Sequence, residues 1–347
     1  MNAVTNYLEK LGSNFLVAAM IPSLGLVITS IFVFDPILQV SSAFQIDNGI
    51  FPLFDISILV IVPTIIIGYT LTALNTFILK FFEGYIFFHR FPSMRRSHAI
   101  KANKLIEERE DLKRNIKFLE EKKNRSAEEE LSLNVLKTAY YTTVATYDQL
   151  YPPTNTEIMP TKFGNILKAS EAYSGTRYGI DAVQFWPRLW HVIPPSYRQT
   201  IVEARNELSF LVNMSALCVV FYLLCILAIL YNAPLPGTNP DWGIVLDNSI
   251  RYIIAGTFAF LANRFFNTAA IFSVGDFGVM IRSAYDLFRL DLLEQFRLKQ
   301  PKNSVEEFQV WQNLGELIIL GQEALDFKPL KYEIKKETNK KSSIMTK

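Results

Sequence analysis

The sequence predicts an all-α membrane fold: four transmembrane helices, a helical cytoplasmic insertion between spans 2 and 3, and an amphipathic C-terminal helical region. Three observations predict it. Half of the 347 residues are hydrophobic and 20% are charged, yet the two classes are segregated along the chain instead of mixed. Four charge-poor apolar runs reach the ~20 helical residues that cross a hydrocarbon core of about 30 Å. Lys and Arg are missing from two alternate connecting loops and concentrated elsewhere.

The first run extends from Phe15 to Phe34 and ends at Asp35-Pro36. A cleaved signal peptide is the rival reading. It fails because the apolar stretch is too long, the head (Glu9, Lys10) is hardly basic, and Ser41 and Ala43 make a poor cleavage site. The second run, Ile56 to Leu79, ends at Lys80. The third, Phe210 to Tyr231, is closed by Asn232 and the proline turn at 234–236, and the fourth starts near Ile250 and fades between Phe272 and Ile281. Pro22 and Pro63 lie inside spans, which helices packed in a bilayer accommodate. Cys218 and Cys225 share the third run about 10 Å apart along its axis, beyond the ~7 Å that a disulfide spans.

Charge sets the expected orientation. The loops 35–55 and 232–249 contain no Lys or Arg, whereas 80–208 holds 20 of the 35 basic residues and the tail after Phe272 holds 12. Basic residues stay on the cytoplasmic side, so both termini and the middle segment are expected inside, in the cytoplasmic membrane. The domains then read as a first transmembrane hairpin (1–88), a cytoplasmic helical domain (89–208), a second transmembrane hairpin (209–277) and a cytoplasmic helical tail (278–347), disordered after Lys335.

The middle segment opens with the aromatic stretch Phe81 to Phe88, then His89, Arg90, Arg95, Arg96, His98 and Lys101. Aromatic rings followed by cations suit a headgroup layer, which makes Arg90, Arg95, Arg96 and Lys101 candidate lipid contacts. From Ala99 to Leu150 the pattern is helical. Leu105, Leu112 and Leu119 recur every seven residues with Ile116 among them, and Ser126-x-x-Glu129 reads as a capping box that opens a second helix. That helix is expected to carry Leu131, Leu133, Val135, Leu136 and Tyr140 on one side, and the pair to fold back as an antiparallel hairpin. After Tyr151-Pro152-Pro153, residues Phe163, Ile166, Leu167 and Ser170 share a face of a short helix. Trp186 and Trp190 with Arg188 between them read as a docking or membrane-interface element. Arg177, Asp181 and Arg188 can form a charged cluster beside them. Ser196 is the expected cap of a helix that runs into the third span.

Inside the fourth run lie Asn263, Arg264 and Asn267. Arg near the bilayer centre costs about 2.5–3.5 kcal/mol, so it must face protein or water, or snorkel to the interface. Thr72, Asn75 and Thr76 in the second span lie at a comparable depth and could satisfy it. Beyond the span, 278–299 alternates apolar and charged residues as an amphipathic helix ended by Pro301, and Ser304-x-x-Glu307 reads as the cap of another.

Three runs carry a resemblance. Pro160-Thr161-Lys162-Phe163-Gly164-Asn165, continued by Arg177-Tyr178-Gly179-Ile180-Asp181 and Phe185-Trp186-Pro187-Arg188-Leu189, resembles a stretch in a family of uncharacterised bacterial multi-pass membrane proteins. So do Tyr285 to Leu293, the following Pro301, Glu306-Glu307 and Trp311, and the Leu11 to Ala19 stretch. The resemblance implies membrane topology and a bacterial source, and no activity.

No phosphate-binding Gly-rich loop, Gly-x-Ser-x-Gly elbow or His-Glu-x-x-His is present, and no Cys or His pair has zinc spacing. No catalytic residue, metal or cofactor is therefore assigned. The net charge of +2 gives no reason to expect nucleic acid. The expected partners are the bilayer, further copies of the chain and a protein met through the cytoplasmic domain. The first functional reading is a non-enzymatic, homo-oligomeric pore, effector or signalling platform. The alternative is a membrane-embedded enzyme or transporter that handles an anionic lipid or solute, with Arg264 or the Arg177, Asp181 and Arg188 group as its working residues.

Overall fold

The structure, a computed structural model, describes residues 16–38, 51–154, 157–233 and 242–321, with Leu330 and Tyr332. The Ser41/Ala43 site, residues 39–50 and 234–241 of the two loops without basic residues, and the tail after Lys335 lie outside the described residues. Among the described residues the fold is helical, with one isolated bridge between Leu298 and Tyr332 and no strand. The helices are α1 (Leu16–Leu38, its first turn π-helical), α2 (Phe51–Glu83), α3 (Pro92–Glu120), α4 (Ala127–Leu150), α5 (Lys162–Tyr178), α6 (Ala182–Val192), α7 (Pro195–Tyr231), α8 (Trp242–Gln295) and α9 (Ser304–Leu320).

Helices α1, α2, α7 and α8 are long and apolar enough to cross a membrane. The chain is thus a multi-pass membrane protein by the length and composition of these helices. Two of them extend well beyond their apolar runs. Helix α7 begins at Pro195, so Ser196 sits inside its first turn and is not its cap. Proline is preorganised for the first helical position and lacks the amide that would go unbonded there. Helix α8 continues unbroken to Gln295, where Arg297 turns left-handed at φ 55°, four residues before Pro301.

The chain packs as two units, 1–169 with 199–279 and 170–198 with 280–347. In the first, three apolar clusters succeed one another along the spans. At one end Phe34 stacks on Tyr252 and meets Phe221 edge-on, both at 5.7 Å between ring centres, over Cys225, Ala228 and Ala259. Ala19, Leu71 and Leu217 form the next cluster. At the other end Phe163, Ile166, Leu208, Val212, Ala270 and Val274 close on Phe82. A Cβ on Gly256 would lie 3.3 Å from the Cys225 Cβ, so this glycine lets α7 and α8 approach closely.

Also in the first unit, α3 and α4 form the expected hairpin. Ser126 Oγ accepts from the Glu129 amide while Glu129 accepts from the Ser126 amide, and Lys122 and Lys137 pair with Glu129 and Glu120 at 2.7 Å. The inner stripe of α4 is narrower than expected. Leu133, Thr143 and Tyr147 are buried, but Leu131 and Val135 are exposed. A helix turns 100° per residue, so Leu131 and Val135 fall outside the stripe that runs through Leu133, Leu136 and Tyr140.

The second unit gathers α6 and α9 with the adjoining parts of α5, α7 and α8. Phe185 meets Trp311 edge-on at 5.3 Å, both fully buried. Tyr285, also buried, donates to the Ala182 carbonyl at 2.7 Å. The cap of α9 is Asn303, whose Oδ1 accepts from the Val305 and Glu306 amides. The cap thus falls one residue before the expected Ser304, with Glu306 accepting from the Lys302 amide at 2.8 Å and Glu307 bonded to Arg289 instead.

Candidate functional site

The first unit holds a buried polar set inside its apolar helices. Asn213 is 2% exposed, and its amide donates to the Ala18 carbonyl at 2.8 Å. The Asn213 Oδ1 and the Asn75 Oδ1 are buried with no hydrogen-bond partner among the described residues. Ser215 donates to Asn263 Oδ1 at 2.7 Å, tying α7 to α8. Ser23 is fully buried and bonds the Ala19 carbonyl.

Of the polar residues expected in the spans, Asn263 belongs to this set, and Asn75 and Asn267 are half-buried. Thr72 is exposed, its hydroxyl donating to the Gly68 carbonyl of its own helix at 3.0 Å, and Thr76 is exposed too. Arg264 is not in the set. It is exposed, and among the described residues its guanidinium has no hydrogen bond or ion pair. The inward stripe of α8 passes through Tyr252, Gly256, Ala259, Asn263, Ala270 and Val274, and Arg264 lies about 100° around the helix from Asn263. The sequence draws attention to the amides and hydroxyls that could serve Arg264, and Asn213 and Ser215, in the third run, stand outside that group. An amide in hydrocarbon needs a partner all the same, so its position in a span was the available signal.

The Pro160 to Asn165 motif terminates α2. Thr161 Oγ1 donates to the Phe82 and Glu83 carbonyls at 2.7 and 2.9 Å, satisfying groups that a helix end leaves unbonded. It also accepts from the Gly164 amide at 2.9 Å. A Cβ on Gly164 would lie 2.1 Å from the Glu83 oxygen, so only glycine fits. Asn165, fully buried, bonds the Met159 amide and carbonyl at 2.8 Å. The most distinctive run in the sequence is therefore a helix-end clamp.

Nearby, the candidate headgroup contacts Arg90, Arg95, Arg96 and Lys101 are all exposed. His98 is half-buried beside Tyr151, with Nδ1 buried and unbonded. Burial, then the charges of Lys101 and Lys162, holds its imidazole below the usual histidine range.

In the second unit the charge centre forms around Asp286, Arg289 and Glu307. Tyr178 and Tyr173 donate to the two Asp286 carboxylate oxygens at 2.6 and 3.2 Å. Arg289 lies 3.9 Å above the Tyr178 ring and donates to Glu307 Oε1 at 2.7 Å. Burial, then the bond to Asp286, pushes the Tyr178 phenol far above its ordinary value and keeps it a donor. The members of the expected Arg177, Asp181 and Arg188 group each have contacts of their own. Asp181 caps α6 at the Gln184 amide, Arg188 donates to the Gln184 carbonyl at 2.8 Å, and Arg177 lies over the Tyr173 ring. Trp186 packs on Trp190 and on Tyr285. Each carboxylate of this centre is engaged by a donor, which suits fixing helices together better than reacting with a substrate. Among the described residues no three His, Cys, Asp or Glu side chains converge as a metal site. Comparison with protein-family models, curated proteins and solved structures returns no match.

Proposed function

We propose that the chain is a non-enzymatic protein of the cytoplasmic membrane that self-associates into a pore or signalling platform, with Arg264 facing the interior of the assembly. The observation that carries this reading is the outward position of Arg264 inside the apolar run, about 21 Å in from Ile250 and roughly two-thirds of the way to the cytoplasmic side. It lies about 18 Å along α8 from Tyr252 and about 15 Å before Val274, at 1.5 Å per residue. Tyr252 packs at the Phe34 end of the spans and Val274 at the Phe82 end. An arginine at such a depth costs about 2.5–3.5 kcal/mol against lipid, which water or a neighbouring copy relieves. Thr257 and Thr268 stand on the same exposed stripe, seven residues before and four after. Their hydroxyls bond the Ile253 and Arg264 carbonyls at 2.8 Å, so Arg264 is the charge that this outer face, with exposed Phe260 and Leu261, would offer a second copy.

Native mass spectrometry of the protein in nanodiscs, paired with ion flux in vesicles, tests the reading. The wild type is expected as one closed oligomer. Arg264→Gln should keep that oligomer and alter flux or its selectivity, whereas Arg264→Leu should abolish flux. A wild type that stays monomeric, or variants that change neither assembly nor flux, would leave Arg264 a snorkelling side chain and end the proposal.

A further inference from the structure

A second sector of α8 faces a groove bounded by α1, α7 and α8, with a volume of about 1060 Å³ and an almost wholly apolar lining. That is at the upper limit of the roughly 300–1,000 Å³ typical of small-molecule sites. Its walls include Gly25 and Thr29 of α1, Phe221 of α7, and Ala255 and Phe258 of α8, with Arg251 at one end. Arg264 does not line it. The floor is hollow where α1 could have filled it, since a Cβ on Gly25 would meet nothing within 4 Å. From Arg251 to Phe266 the groove follows α8 for about 22 Å, longer than the roughly 15 Å of one leaflet's hydrocarbon. Arg251 is exposed and adjoins Tyr252, which stacks on Phe34, the residue before Asp35. Its guanidinium therefore stands where α1 leaves its apolar run, at the level of a headgroup. A long apolar slot open to the bilayer, ended by one cation at that level, matches an acyl chain attached to a phosphate.

We infer that this groove binds one anionic phospholipid, its acyl chain lying over Gly25 and its phosphate held by Arg251. The inference is independent of self-association, because the groove is built within one chain. The test reconstitutes the full chain in phosphatidylcholine vesicles doped with phosphatidylglycerol whose acyl chain carries a photoactivatable diazirine, and maps the adducts. Adducts on α1 near Gly25 and on α8 near Ala255 should exceed those at the exposed Leu74 and Phe77 of α2 severalfold. Unlabelled phosphatidylglycerol should compete for them and phosphatidylcholine should not. Gly25→Trp should remove the groove adducts and spare those on α2. Arg251→Gln should reduce the preference for the anionic lipid by roughly fivefold, the worth of one basic side chain near a headgroup layer. Equal labelling of groove and α2, or equal competition by both lipids, would mean ordinary bulk lipid and overturn the inference. So would a Gly25→Cys variant that crosslinks to a second copy while the groove stays dark to the probe. The competition arm uses the wild type, so it decides the matter even if a variant misfolds.

Discussion

At the scale of single residues, three side chains set the questions: Arg264 exposed on α8, Asn213 buried on α7, and His98 half-buried beside Tyr151. Arg264 was legible because a cation deep inside an apolar run is conspicuous. Its orientation was not, since one helical position separates it from the inward Asn263, and the neighbours that define inward come from α7. Asn213 is not marked by any charge in its own run, and its partner, the Ala18 carbonyl of α1, is a backbone group that no side-chain pattern announces. His98 yields a prediction of its own. Its folded-state pKa lies below the ordinary 6.5, so the unfolded chain takes up a proton first as pH falls. Stability from this residue is complete above about 6.5 and is lost as pH falls from there through the lower folded value. Thermal unfolding followed across that window should show melting falling on acidification. His98→Gln should flatten that slope, and an unchanged slope would remove His98 as its source.

At the scale of elements, the helices and the α3–α4 hairpin followed from periodicity and one capping box. Their ends did not, because an end is decided by whatever satisfies it. Helix α2 was expected to stop at Lys80 and continues to Glu83, where Gly84 turns to φ 96° and Thr161 takes the last carbonyls. The motif that supplies Thr161 was visible as unusual, but nothing local in it names a partner 79 residues away. Gly164→Ala should strike this clamp, since its Cβ would press on backbone at 2.1 Å. A loss of about 1–3 kcal/mol or more is expected, as for overpacked sites. Gly275→Ala is the control, because its Cβ would meet nothing within 4 Å. If the two variants melt alike, the clamp contributes nothing to stability.

At the scale of the molecule, segregation of charge from apolar runs was enough to predict a helical multi-pass chain, because a bilayer imposes length and backbone satisfaction on every span. Which tail segments pack with which was not legible. Arg177 to Leu189 and Tyr285 to Leu293 were each recognisable as special, yet only the structure brings them together, through Tyr178, Asp286 and Tyr285. The expected orientation remains testable through labelling of whole cells with a membrane-impermeant maleimide. A cysteine placed at Ala233 should react and one at Asn124 should not. Cys218 and Cys225 lie within an apolar span and stay silent to such a reagent. The reverse pattern would invert the topology.

The clamp on α2 also bears on the order of assembly during synthesis. Phe82 leaves the ribosome 79 residues before the hydroxyl that will hold it. At about 5–20 residues per second, that is a delay of roughly 4–16 s. Until Thr161 arrives, the last turn of the second span has only water and headgroups for its carbonyls. The intervening hairpin, whose capping box and ion pairs are all local, can close within that interval and bring the distant threonine back within reach. Once closed, that hairpin brings the chain at residue 150 back toward residue 92, so the span Thr161 must cross to reach Phe82 is far shorter than 79 residues of open chain.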